Sequence, residues 1–338
     1  MNQKSSTAID KLWKWMTGRR ETSLVVLLVL SCVFIAILSP TFFSMYNIDT
    51  IINDIAILAI VSIAQFFVIL SNGIDISVGA IIAFSGMACG MINQDHPGTP
   101  VFLIILVGIG LGFVMGAING VLVAYGKIPP IITTLGTTSI FRGATFVLSK
   151  NTWVTAHEMT DAFKGFPRGR FLGITTLVWC ALIVIVITYV FSRYSRTGRA
   201  IFAIGGNPTA ARFVGVSEPK TRFIVFVISG LLCGFAGFLW TTRYASAVNE
   251  MATGFEMQAV ASCVLGGVNF SGGSGGIIGV VLGALFFGII NNALPSLYLN
   301  TFWQLFVQGL VVLIALMINT IVEDRKAKTL LAQRRLSK

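Results

Sequence analysis

The sequence predicts an all-α polytopic membrane protein, and three observations predict it. The 338 residues are 55% hydrophobic and 11% charged, with a mean hydropathy of +0.85, whereas a soluble domain carries roughly 25% charged residues. The apolar residues gather in runs of about 20, the length of helix that crosses a bilayer core. Lysine and arginine sit at the ends of those runs. A net charge of +11 in a soluble chain would suggest a nucleic-acid partner, but here membrane topology accounts for it and no nucleic acid is expected. Once the runs are assigned, no soluble domain of ordinary size is left over.

The N-terminal segment, residues 1–21, holds Lys4, Lys11, Lys14, Arg19 and Arg20. The apolar run after it ends in Ser39-Pro40-Thr41 rather than a small-residue cleavage site, so the first span is read as retained. Leu12, Trp13, Trp15 and Met16 beside lysines suit a short interfacial helix, and equally a frayed tail whose tryptophans sit at headgroup level.

Ten spans can be drawn, at about 22–39, 51–70, 76–93, 101–125, 130–149, 172–192, 223–242, 257–270, 276–294 and 302–322, so that 22–322 forms one membrane domain. With the N-terminus inside, the connection 193–222 is cytoplasmic and carries Arg193, Arg196, Arg199, Arg212, Lys220 and Arg222. The tail 323–338, with Arg325, Lys326, Lys328, Arg334, Arg335 and Lys338, lies on the same side. The outside keeps the minority Lys150, Lys164, Arg168, Arg170 and Arg243, which satisfies the positive-inside rule. Both termini are expected to be cytoplasmic. The longest external loop, about 150–171, contains Trp153, His157, Glu158, Asp161 and Phe166; an ordinary hairpin closure is favoured there over a docking site.

Two stretches break the helical pattern, SNGIDISVG at Ser71–Gly79 and GGVNFSGGSGG at Gly266–Gly276. Lipid offers a freed backbone group no partner, so both breaks must lie in the protein interior or line a watery cavity. Gly108, Gly112, Gly116 and Gly120 recur every four residues in the fourth span, and Gly275, Gly279 and Gly283 in the ninth, which permits close helix approach. For any one of these glycines static packing is favoured over a sliding surface. GLGFVMGAINGVL (Gly110–Leu122) resembles VLGALFFGIINNAL (Val281–Leu294), consistent with an internal repeat of the kind found in transporters.

Charged residues within the spans need a reason to be there, since an ionised side chain at mid-bilayer costs ~2.5–3.5 kcal/mol or more. Asp75 and Glu256 are each read as helix caps in preference to proton carriers. Arg142 must pair or snorkel. Asn72, Asp75, Asn119, Asn269, Asn291 and Asn292 are the candidates to line a polar route.

Enzyme signatures fail. Gly272-Gly273-Ser274-Gly275 has the form of an intramembrane serine protease motif, yet that chemistry needs a histidine beside the serine, and His96 and His157 both fall in external loops. The five cysteines, Cys32, Cys89, Cys180, Cys233 and Cys263, form no CxxC pair or Cys/His cluster, so neither disulfides nor a metal site is expected. No GxxxxGK[ST] exists, because Gly126-Lys127 is followed by Ile128. If ATP powers the protein, another chain binds it.

From about Phe42 to Asp324 the chain resembles the membrane permease subunits of bacterial ATP-binding-cassette importers for monosaccharides, the family of the ribose, arabinose, xylose, rhamnose and autoinducer-2 permeases. The resemblance rests on GIDISVGA (Gly73–Ala80), NGVLVAYGKIPPIITTLGT (Asn119–Thr137) with FRGA (Phe141–Ala144), GRAIFAIGGNPTAARFVGV (Gly198–Val216) and SCVLGGVNFSGGSGGIIG (Ser262–Gly279), in that order. Branched-chain amino-acid permeases are related, but the Gly-Gly-Asn segment and GIDISVG are closer to the sugar group. The resemblance implies a homodimer or a pair with a close relative, a periplasmic substrate-binding protein that delivers a small sugar-like solute, and a separate ATPase subunit on the cytoplasmic face. ATP and magnesium would be bound by that ATPase, and no cofactor is expected in this chain.

The same resemblance makes Gly198–Val216 the segment that couples to the ATPase. Gly205, Gly206, Ala210, Ala211 and Gly215 would allow close docking, Asn207 before Pro208 would cap a short helix, and Arg212 would meet an acidic groove. The alternatives are an autonomous proton-coupled secondary transporter using Asp75 or Glu256, and a permease of the same kind for another solute such as autoinducer-2 or a branched-chain amino acid.

Overall fold

A computed structural model describes residues 20–296 and the helical positions 302, 303, 305, 306, 309, 310, 313, 314 and 317. The interfacial segment at Leu12–Met16, most of the tenth expected span and the tail 323–338 lie outside the described residues. Apart from two two-residue strands, the described chain is helical: α1 (Arg20–Leu38), α2 (Met45–Leu70), α3 (Val78–Asp95), α4 (Val101–Ala124), α5 (Pro130–Ser149), α6 (Asp161–Gly165), α7 (Thr176–Tyr194), α8 (Arg196–Gly206), α9 (Pro208–Phe213), α10 (Glu218–Tyr244), α11 (Phe255–Leu265) and α12 (Ile277–Ser296). The strands, Arg170–Phe171 and Ile174–Thr175, pair antiparallel as a small hairpin ahead of α7.

Six helices among the described residues are long and apolar enough to cross a membrane: α2, α4, α5, α7, α10 and α12. The first nine expected spans each coincide with a helix, with differences at the ends. The second begins at Met45 rather than near 51, its first turns carrying Asp49 and Asp54. The eighth, expected over 257–270, stops at Leu265. Its 11 residues rise only ~16 Å, about half of a bilayer core, because Gly266 and Gly267 turn the chain into the second break.

Helix α2 is apolar on all sides, as a helix surrounded by protein must be, and 89% of its most apolar stretch is buried. The corresponding values of 28% for α4 and α5 and 22% for α7 place those helices at the periphery. Around α2 pack α10, α12, α11 and α7, while α10 also holds α3 and α4.

The α4–α10 contact is the most extensive of all, and glycine makes it possible. A methyl group on Gly112 would sit 2.7 Å from the Cα of Gly234, and one on Gly116 would sit 2.9 Å from the Cα of Gly230. Gly108 and Gly120 meet Gly234 and Phe223 along the same seam. With no side chains between them the two backbones approach closely and gain dispersion contacts. In the second glycine series, Gly279 and Gly283 of α12 pack on Gly266 and Ser262 in the same way. Gly275 precedes that helix and packs instead on Val268 and Phe66.

The connections sort onto two faces. Lys127, Arg193, Arg196, Arg199, Arg212, Lys220 and Arg222 belong to the helix ends and loops of one face, with Glu218 as the acidic residue among them. The opposite face gathers the long loop and its neighbours: Val154 bridges Ala247, Asn93 bonds Thr160, Gln94 bonds Glu158, Ser149 bonds Asn249, and Arg170 pairs with Asp49. There the Thr155 backbone N–H and hydroxyl donate to Glu158 and hold its carboxyl below the usual carboxylate range. Arg142 finds its partners on this side too, donating to the carbonyls of Asn249 (3.1 Å) and Met251 (2.9 Å), so the cation is met by backbone dipoles and does not depend on snorkelling alone.

Candidate functional site

On the basic face, α8 and α9 form a short two-helix insert between α7 and α10. Each start is set by a polar side chain. Ser195 Oγ accepts from the Gly198 N–H at 2.8 Å, and Asn207 Oδ1 accepts from the Ala210 N–H at 3.0 Å. Asn207 also ends α8, and Pro208 occupies the first position of α9, where its missing N–H leaves no bond unmade. The expected Asn-Pro cap is thus present.

The insert presses on the end of α2 and on the second broken stretch at once. Gly205 lies so close to the carbonyl of Leu70, the last residue of α2, that any side chain there would overlap it, and a methyl group would stand 2.6 Å from the Gly273 nitrogen. The Gly273 N–H donates to the Leu70 carbonyl at 3.0 Å. Gly272 and Gly273 have φ of +84° and +73°, conformations that suit glycine and let this loop turn against the insert. The end of α2, the second break and the end of α8 therefore meet at one backbone-to-backbone junction.

The seven expected coupling residues divide in two. Gly205 and Ala211 are buried within the junction and the helix pair, whereas Gly206, Asn207, Ala210, Arg212 and Gly215 are exposed. Gly206 has room, the nearest atom to an added methyl being 3.9 Å away. Arg212, expected to meet an acidic groove on another protein, already holds Glu218 of its own chain at 2.7 Å, and Glu218 also bonds Arg222 at 3.1 Å. Two residues that sequence reasoning passed over stand at the tip: Phe213 and Val214 are 87% and 77% exposed. The signal available was a pair of bulky apolar residues inside a stretch otherwise built from small and polar ones.

The six candidate path residues do not form one line. Asn72 (φ +62°) and Asn269 lie at the junction, where a methyl group on Gly272 would stand 3.1 Å from the Asn72 nitrogen and Asn269 Oδ1 accepts from the Ser271 N–H at 2.8 Å. Asp75 and Asn119 belong to a fully buried polar knot. Asp75 Oδ1 accepts from the Ser77 N–H (2.9 Å) and hydroxyl (2.6 Å), its Oδ2 accepts from Ser229 (3.0 Å), and Asn119 Nδ2 donates to Ser77 (2.8 Å). Gln65 completes the knot with its amide turned to the Asp75 backbone, donating to the carbonyl at 3.1 Å and accepting from the N–H at 3.2 Å. The expected cap is not formed on the helix itself: Asp75 binds the N–H and hydroxyl of Ser77, which precedes the first residue of α3, and so fixes the turn leading into that helix.

Asn291 and Asn292 lie elsewhere, lining a cavity of about 320 Å³ near the opposite face. The two halves of the suspected repeat thus surround their asparagines differently, Asn119 in the buried knot and Asn291 beside Gln258 at 3.0 Å. Ser274, the formal protease serine, offers its carbonyl to the Asn269 N–H at 2.9 Å within the basic-face loop, whereas His96 and His157 are on the opposite face with Gln94 and Glu158.

Comparisons with known proteins bear on what such a junction serves. A family model described as "Branched-chain amino acid transport system / permease component" matches residues 47–316. The chain is 36% identical over 301 residues to the ribose import permease protein RbsC of Escherichia coli (strain K12), covering 88% of this chain and 93% of that protein. It is 38% identical over 287 residues to the D-allose transport system permease protein AlsC of the same strain, covering 84% and 87%. Identity to its galactose/methyl galactoside import permease protein MglC is 31% over 327 residues, covering 92% and 97%. No solved structure matches the chain.

Proposed function

This chain belongs to the branched-chain amino acid transport system / permease component family, with sugar import permeases among its relatives, and on that premise we propose that it translocates a monosaccharide or similar polyol-like solute by alternating access as the membrane subunit of an ATP-driven importer. Like other members it is a permease subunit and not an enzyme. Its partners in this reading are a separate ATPase subunit that binds ATP and magnesium, a periplasmic substrate-binding protein, and a second permease copy, identical or closely related. Ten spans then cross the inner membrane between an interfacial segment, 1–21, and a basic tail, 323–338, with both termini in the cytoplasm.

The observation that carries this reading is the junction of Gly205, Leu70 and Gly273. A rigid insert capped at both helices, with Phe213 and Val214 presented to water on the basic face, is suited to receive another protein, because exposed bulky apolar residues beside polar ones mark contact surfaces. By the positive-inside rule that face is cytoplasmic. Displacement of α8 is passed directly to α2 and to the second break, since their backbones touch with no side chain between to absorb it.

The proton-coupled alternative gains nothing from Asp75, whose oxygens are occupied by Ser77 and Ser229 in a site closed to solvent. Reconstitution of the chain with and without the ATPase and binding protein separates the two readings. Uptake of radiolabelled sugar that needs ATP and all three components is the expected result. Uptake by this chain alone under a proton gradient overturns the proposal.

A further inference from the structure

The cavity that holds Asn291 and Asn292 lies among the ends of α2, α10, α11 and α12 on the face opposite the junction, and its chemistry is specific. Its volume of about 320 Å³ falls within the roughly 300–1,000 Å³ range of small-molecule pockets and has room for one monosaccharide. Its wall presents Trp240, Asp54, Glu250, Gln258, Asn291 and Asn292. Trp240 is held in place by Tyr244, with ring centroids 5.1 Å apart, and by the edge of Phe255 at 4.9 Å. Asp54 is fixed by the Tyr244 hydroxyl at 3.1 Å and by the Arg243 guanidinium at 3.4 Å. The bond from Asn291 to Gln258 at 3.0 Å sets the orientation of both amides.

We propose that this cavity is a monosaccharide-binding vestibule of the permease itself, with Trp240 as the stacking platform and Asp54, Gln258 and Asn292 as hydroxyl partners. A sugar ring has an apolar face of C–H groups that packs on an indole, and vicinal hydroxyls that donate to carboxylates and exchange bonds with amides. Side chains already fixed by their neighbours bind without losing further rotamer freedom. No lysine or arginine is among the described residues that line the cavity. A sugar phosphate would bring its dianion towards Asp54 and Glu250, and the neighbouring Arg243 is already engaged by Asp54 and the Thr50 carbonyl, so the vestibule discriminates against it.

This proposal rests on the sugar-import reading above, and it is tested separately from it. Saturation-transfer NMR on the full-length permease in lipid nanodiscs reads weak binding of D-ribose, D-allose, D-galactose and D-ribose 5-phosphate, each offered at millimolar concentration. At least one of the three sugars is expected to receive saturation and D-ribose 5-phosphate none. The sugar signal should fall about tenfold in Trp240→Ala and in Gln258→Leu, and persist in Trp240→Phe, which keeps an aromatic face and reports on folding. Absence of signal for all three sugars, or a sugar signal that survives both Trp240→Ala and Gln258→Leu, overturns the vestibule. ATP-dependent sugar uptake by the complete importer despite such a result leaves the transport reading standing and removes only the vestibule. Sugar binding that Trp240→Ala abolishes, in a complete importer that moves no sugar, supports the vestibule and removes the transport reading.

Discussion

The amide of Gly273 donates to the carbonyl of Leu70 at 3.0 Å, directly where Gly205 of the two-helix insert comes to rest. One backbone bond thereby joins the end of α2 to the glycine loop between α11 and α12.

The glycine seam between α4 and α10 is predicted to tolerate change on one side only. A methyl group on Gly112 would stand 2.7 Å from the Gly234 Cα, whereas one on Gly110 would meet nothing within 4 Å. Gly112→Ala should destabilise the protein by ~1–3 kcal/mol, the usual cost of forced overpacking. Gly110→Ala should leave the thermal unfolding midpoint in detergent unchanged. Equal midpoints for the two variants would rule the seam out as a source of stability.

The Asp75 knot is predicted to be structural. Asp75→Asn keeps an acceptor for Ser77 and places an amide beside Ser229, which can accept in its turn, so ATP-driven uptake should stay within about twofold of wild type. Asp75→Leu strands the buried Ser77 and Ser229 groups at ~1–3 kcal/mol each and should lower the yield of folded protein. Loss of uptake in a well-folded Asp75→Asn protein, with proton coupling shown in wild type, would restore the carrier role.

Arg212 and Glu218 are predicted to act as a pair. Arg212→Glu sets two carboxylates beside each other and should weaken co-purification with the ATPase, although an exposed pair contributes only ~0.2–1 kcal/mol to stability. Adding Glu218→Arg restores the opposite charges and should recover most of the binding. Failure of the swap to recover it would mean that Arg212 contacts the ATPase itself. Phe213→Ser with Val214→Ser should reduce co-purification about tenfold without changing the unfolding midpoint, because both side chains are already in water; unchanged co-purification would remove them from the docking surface.

How much of this was legible in the sequence depends on the range of the interaction. Helix positions followed from apolar runs and local caps, as Asn207-Pro208 shows, because those signals reach only a few residues. The stop at Gly266 was masked by Val268 and Phe270, which continue the apolar pattern past the end of α11. Both breaks were visible as clusters of glycine, serine and asparagine. Their meeting with Gly205 was not, since residues 70, 205 and 273 are joined by tertiary packing alone. For the same reason the candidate asparagines could be collected by type but not divided among junction, knot and cavity. Arg212 was expected to meet an acidic groove on another protein, and its partner six residues onward became apparent only when the turn after α9 brought Glu218 beside it.

Transmission of ATPase movement through the junction to the membrane helices is read by the amount of sugar moved per ATP hydrolysed in the reconstituted importer. Gly205→Ala forces the insert away from Leu70 while leaving the exposed tip intact, whereas Gly206→Ala fits the space present. Gly205→Ala is expected to bind the ATPase and support hydrolysis but to move at least tenfold less sugar per ATP, with Gly206→Ala at the wild-type ratio. An unchanged ratio in Gly205→Ala would show that the junction does not carry the movement.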